Sequence, residues 1–103
     1  MSGQLGQSMS FGQALVALED GFRVTRPGWN GKGMWLFLQT GKLVHPADVT
    51  HPILSAYATR KDSLHKPGLC IRPWIGMFTA DEEMVPWVAS QSDLLAKDWM
   101  IVK

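Results

Sequence analysis

Trp29, Asn30 and Lys32 sit among Gly28, Gly31 and Gly33, directly after Pro27, in the stretch RPGWNGKG. An indole stacks on a planar ring. A carboxamide both donates and accepts hydrogen bonds, glycines leave backbone N–H groups open to an anion, and an ammonium supplies charge. Together these groups match a nucleotide: stacking for the base, hydrogen bonds for its edge and charge for the phosphate. The same residues also support a purely structural reading, in which Asn30-Gly31 is a type I′ hairpin turn and Trp29 packs inward on a helix. Sequence alone leaves both open.

Ser90, Gln91 and Asp93 form a second candidate set. The serine precedes a helical turn whose unpaired N–H groups could hold a phosphate or ribose hydroxyls. Asp93, three residues after Ser90, has the spacing of a capping box and could equally bind a ribose diol. Trp99, six residues further on, reads as structural. No sign of catalysis accompanies these sets: G-x-S-x-G, H-E-x-x-H and P-loop spacings are missing, and Cys70 stands alone in an apolar strand context. His45, His51 and His65 have no obvious partner and read as solvated loop histidines. The chain is therefore expected not to be an enzyme, with no catalytic or metal-ligating residues and no cofactor.

The elements that must position these residues follow from periodicity. Phe11, Ala14, Leu15 and Leu18 fall on one helical face, so a helix is predicted over 11–20, capped by Ser10 and ended by Gly21. Strands are predicted over 22–25 and 34–39. The second of these, MWLFLQ, is apolar on both faces, as a central or interface strand would be. The stretch 41–68 is loop-like and too long for an ordinary connection, which signals a lid, a binding loop or a short element hidden from the pattern. Strand composition returns over 69–79 with an edge or break at Pro73. An acidic turn at 81–83, a strand over 85–88, a short helical turn over 90–96 capped by Ser90 or Ser92, and a last strand over 99–102 complete the order. The expected class is α+β: an N-terminal helix on a small antiparallel sheet, with a helical turn near the C-terminus.

Bulk properties bound the function. The 103 residues, 46% of them hydrophobic, suit one domain over 10–103 behind a flexible tail at 1–9. Ten basic and nine acidic residues leave a net charge of +1, too little for the phosphate neutralisation that duplex nucleic acid requires. Any anionic partner should be small. Residues 1–9 lack the basic start and apolar stretch of a signal peptide and nothing later approaches a membrane span, so a cytoplasmic protein without a membrane partner is expected. Five tryptophans are more than one small core can hold centrally, which leaves aromatic surface for oligomer contacts or ligand stacking.

The motifs F-G-x-A-L, W-N-G-K-G and P-W-x-A-S-Q-x-D-L-L-A-x-D-W, in that order, resemble the phage-encoded Thoeris anti-defence sponge family of the second type. The resemblance covers about residues 10–40 and 71–102; the stretch 41–68 carries none of its motifs, and Asp81-Glu82-Glu83 stands where a simpler Asp-Gly turn is expected. It implies a non-enzymatic protein of the infected bacterial host's cytoplasm. Such a protein sequesters a cyclic ADP-ribose-type signal made by a TIR-domain enzyme, and some members also take cyclic oligonucleotides at a separate site. It also implies a homotetramer with pockets shared between subunits. By motif, the ligand-binding residues are Phe11, Trp29, Asn30, Lys32, Trp74, Met77, Thr79, Ser90, Gln91 and Asp93. Two competing classes are a nucleotide-cleaving enzyme, and a structural or nonspecific single-strand-binding oligomeric phage protein.

Overall fold

The computed structural model describes residues 8–60 and 68–103; the expected tail falls mostly outside them, as does His65. The chain divides into two compact units, one formed by Met1–Gln39 with Trp74–Lys103 and the other by Thr40–Pro73.

In the first unit, α1 (Phe11–Glu19) follows the predicted periodicity and buries Ala14, Ala17 and Leu18. Ser10 and Gln13 form a reciprocal capping box: the Gln13 N–H donates to Ser10 Oγ at 3.2 Å and the Ser10 N–H to Gln13 Oε1 at 2.9 Å. Gly21, at φ 92°, ends the helix in the left-handed region that glycine adopts without strain. Five strands follow: β1 (Arg23–Thr25), β2 (Trp35–Gln39), β5 (Trp74–Phe78), β6 (Met84–Pro86) and β7 (Met100–Val102). They form one antiparallel sheet in the order β6-β5-β2-β1-β7. MWLFLQ is thus the central strand, and the expected α+β class holds.

Alternation along the strands sorts the sheet's two faces. Val24 pairs with Leu36, and both are fully buried against Ala14, Ala17, Leu18 and Trp99, with Leu38, Ile75, Met77 and Ile101 packed around them. The other face carries Trp35, stacked on Phe78 at 4.8 Å, and Phe37, edge-on to Trp74 at 5.8 Å. Arg23 lies 5.1 Å over the Trp35 ring. The Phe37 ring also lies directly against Gly76, its cross-strand partner, and occupies the space where a side chain at 76 would stand. That contact explains a glycine in mid-strand.

β6 begins and ends before the predicted 85–88, although Trp87 still bonds to β5. Its N–H donates to Ile75 O at 2.9 Å while its ring turns into an aromatic cluster. The β5–β6 turn closes through Thr79: its N–H donates to Glu83 O at 2.8 Å, and its Oγ1 accepts from the Glu83 N–H at 3.0 Å.

The second unit corrects the loop-like reading of 41–68 in favour of short elements hidden from the pattern. β3 (Lys42–Val44) pairs antiparallel with β4 (Leu69–Ile71), and between them lie a 3₁₀ turn (Pro46–Asp48) and α2 (Pro52–Ala58). Each helical segment starts with a histidine followed by proline. His45 Nδ1 accepts from the Ala47 N–H at 3.0 Å and His51 Nδ1 from the Ile53 N–H at 3.2 Å. These two histidines are exposed helix caps rather than merely solvated. Pro73 breaks the predicted 69–79 strand, leaving β4 in one unit and β5 in the other.

Candidate functional site

The site grows from the connection between β1 and β2. Arg26-Pro27-Gly28-Trp29 turns sharply, with the Trp29 N–H donating to Arg26 O at 3.2 Å, as suits proline at the second position of a β-turn. Thr25 Oγ1 donates to Met34 O at 2.7 Å and closes the loop at its base. A type I′ turn at Asn30-Gly31 would need positive φ at both residues. Among the described residues of this loop only Gly33, at φ 79°, has it, so the hairpin reading is not realised. Gly31 lies close beside the Met34 side chain and Ala80, and a Cβ added there would come within 2.8 Å of Met34 Sδ.

The loop encloses an open pocket of about 320 Å³. Trp29, Asn30 and Lys32 line it together with Thr25, Arg26 and the intervening glycines. Lys32 and Asn30 are exposed, and Trp29 is half-buried.

Behind the pocket, Asp93 ties the loop to α3 (Gln91–Leu95). Ser90 caps α3 through the predicted box: the Asp93 N–H donates to Ser90 Oγ at 3.0 Å and the Ser90 N–H to Asp93 Oδ2 at 3.3 Å. The other carboxylate oxygen is shared, because Asp93 Oδ1 accepts from Trp29 Nε1–H at 2.9 Å and from Arg26 Nη1 at 2.7 Å. Arg26 Nε reaches Asp98 Oδ1, also at 2.7 Å. Asp93 is 8% exposed. Burial alone would raise its pKa, but the hydrogen bonds from Trp29, Arg26 and Ser90 outweigh it and hold the carboxyl below its ordinary value. The hydrogen bond to Asp98 raises the Arg26 pKa further, with Asp93 adding to it against partial desolvation.

An aromatic cluster supports this arrangement. Trp99 is fully buried at its centre; Phe11 and Trp29 each lie 5.4 Å from it and Trp87 lies 5.9 Å away. The Trp29 and Trp99 planes cross at 88°. Trp99 Nε1–H donates to the Asp93 backbone O at 2.9 Å, so Trp99 is structural, as its sequence context suggested.

Phe11, Trp29 and Asp93 are thereby drawn to one region, with Asn30 and Lys32 on the pocket loop and the exposed Ser90 and Gln91 at the start of α3. Thr79 belongs to the β5–β6 turn. Met77 points to the helix-covered face and packs on the core. Trp74 lies opposite Gln39, at the end of β5 away from the pocket loop and on the other face of the sheet. Arg26 and Asp98 escaped the sequence reading, although Arg26 opens the RPGWNGKG stretch and Asp98 lies within the last motif. Their only signal is position, one before the Pro-Gly turn and one before Trp99, and nothing in a single sequence pairs them.

An N-terminal helix on a five-stranded antiparallel sheet, with an open loop pocket lined by Trp29, Asn30, Lys32 and Arg26 and backed by an aromatic cluster, defines a small α+β domain. The family model described as the Thoeris anti-defense 2-like domain matches residues 9–102, and the chain belongs to that family. It is also similar to Thoeris anti-defense 2 of Bacillus phage SP01, with 40% identity over 99 residues that cover 91% of this chain and 94% of the relative.

Proposed function

We propose that this protein counters Thoeris-type defence by binding and sequestering a cyclic ADP-ribose-type signalling nucleotide, without cleaving it. The observation that carries the reading is the pocket of the β1–β2 loop, where an indole, a carboxamide and two cations surround a space of about 320 Å³. Trp29 stacks on the base, Asn30 reads its edge, and Lys32 meets the phosphates. Membership of an anti-defence family supports this reading, as does its relative's name. Binding alone suffices to withhold the signal from a host effector, so no nucleophile or general base is assigned. The half-exposed aromatic face of β2 and β5 supports assembly into the homotetramer that the family motifs imply.

The test is calorimetric titration with the cyclic ADP-ribose isomer released by a TIR-domain enzyme, followed by mass spectrometry of the nucleotide recovered from denatured complex. Saturable binding with intact ligand supports sequestration. A cleaved ligand makes the protein an enzyme. Equal affinity for single-stranded oligonucleotides makes it a general base-stacking protein. Light scattering coupled to size exclusion reports the assembly, and a clean 11.5 kDa monomer would remove it from the reading.

A further inference from the structure

We infer that Asp93 is a positioning residue for Trp29: its carboxylate takes the indole N–H and thereby sets the ring that walls the pocket, instead of meeting the ligand itself. The inference rests on the nucleotide reading for its functional meaning and on geometry for its substance.

Three donors already converge on this carboxylate. Trp29 Nε1–H and Arg26 Nη1 share Oδ1 at 2.9 and 2.7 Å, and the Ser90 N–H takes Oδ2 at 3.3 Å. A buried carboxylate engaged in this way has little capacity left for a ribose diol, whereas each of its partners is held in place by it. An indole can rotate about two side-chain torsions. Here the hydrogen bond at its edge and the upright contact with Trp99, 5.4 Å between centroids, fix it at two points. A ring ordered before the ligand arrives loses less freedom on stacking, which strengthens binding without any new contact. Arg26 completes the device by keeping the carboxylate charged and in register, itself anchored by Asp98.

The same residue contains its own control. Asp93 binds two indoles by different atoms, Trp29 through the side chain and Trp99 through the backbone carbonyl. Asp93→Asn alters the first bond and leaves the second available.

The experiment follows the indole N–H cross-peaks of the ¹⁵N-labelled protein, assigning those of Trp29 and Trp99 by their loss in Trp29→Phe and Trp99→Phe. It combines them with cyclic ADP-ribose titrations of wild type, Asp93→Asn, Trp29→Phe and the double variant. In Asp93→Asn the Trp29 cross-peak should shift and exchange faster with solvent while that of Trp99 stays. Affinity should fall roughly five- to tenfold, as expected when a charge-assisted bond becomes a neutral one. In the Trp29→Phe background the same substitution should have little further effect.

An unmoved Trp29 cross-peak overturns the inference. So does an affinity loss that persists undiminished without the indole, since Asp93 would then act on the ligand directly or through Arg26 rather than through Trp29. Loss of the Trp99 cross-peak as well makes Asp93 a general fold residue and also overturns it. A wild-type protein that ignores cyclic ADP-ribose counts against the nucleotide reading, and the indole cross-peaks still decide whether Asp93 sets Trp29.

Discussion

Arg26 and Asp98, 72 positions apart, are joined by a 2.7 Å hydrogen bond from Nε to Oδ1 beneath the pocket loop. Gly28 makes room for the pair, since a Cβ there would lie 3.1 Å from Asp98 Oδ2. The two ends of this ion-pair network differ in exposure: the Asp93 side chain is 12% exposed and that of Asp98 38%. Solvent weakens the Asp98 bond, so Asp98→Asn should cost no more than about 1 kcal/mol. Arg26→Lys should cost more, about 1–3 kcal/mol, because an ammonium cannot bridge two carboxylates as the planar fork does and leaves the buried one underserved. Urea denaturation of the two variants ranks them; equal losses would count against the bridging role.

Glu82 is a non-glycine residue in the left-handed region, at φ 64°, in the turn between β5 and β6. Its N–H donates to Thr79 O at 2.9 Å, the pattern of a three-residue hairpin loop in which glycine usually takes the left-handed position. Glu82→Gly relieves the conformational cost, offset in part by the freedom glycine gains when unfolded. A net stabilisation of up to about 1 kcal/mol is expected. A rise in melting temperature of a few degrees checks it; a fall would show that the glutamate side chain stabilises the turn.

The lowered pKa of Asp93 makes part of the stability pH-dependent. A carboxyl that is more acidic folded than unfolded contributes fully above its unfolded pKa, near the ordinary 3.8, and loses that contribution as pH falls through the folded value. Asp93→Asn should therefore be less stable than wild type at neutral pH. The gap should begin to close as pH falls below about 4, where the carboxyl of the unfolded chain takes up its proton first, and should go on closing as pH falls through the folded value. Melting curves of both proteins between neutral pH and pH 2 test this, and a gap independent of pH would refute it.

Lys32 is exposed on the rim of the pocket, and among the described residues no hydrogen bond or ion pair ties it to the fold. Lys32→Ala should change the melting temperature little while weakening nucleotide binding and flattening its dependence on salt, because one phosphate contact disappears. Titrations at low and moderate ionic strength check both effects. Unchanged affinity at both would move the phosphate contact to Arg26 or to the loop's backbone N–H groups.

Local chemistry made much of this protein readable before folding. The spacing of Phe11, Ala14, Leu15 and Leu18, the caps at Ser10 and Ser90, the left-handed Gly21 and the break at Pro73 each depend on neighbours within a few positions, and sequence records those directly. Two local signals were less plain. The His-Pro pairs at 45–46 and 51–52 mark helical starts, with histidine as cap and proline in the first turn, but histidine is not the usual cap. Asn30-Gly31 is a strong local turn signal that the fold does not realise, since neither residue takes the positive φ that a type I′ turn needs. What only the tertiary structure decided is the constellation behind the pocket. Asp93 meets Trp29 across 64 positions and Arg26 across 67, because β7 returns beside β1 and brings α3 under the loop. Within the sequence Asp93 is a capping residue like any other. Burial beside an indole and a guanidinium, which only the fold supplies, makes its carboxylate the point on which the pocket wall is fixed.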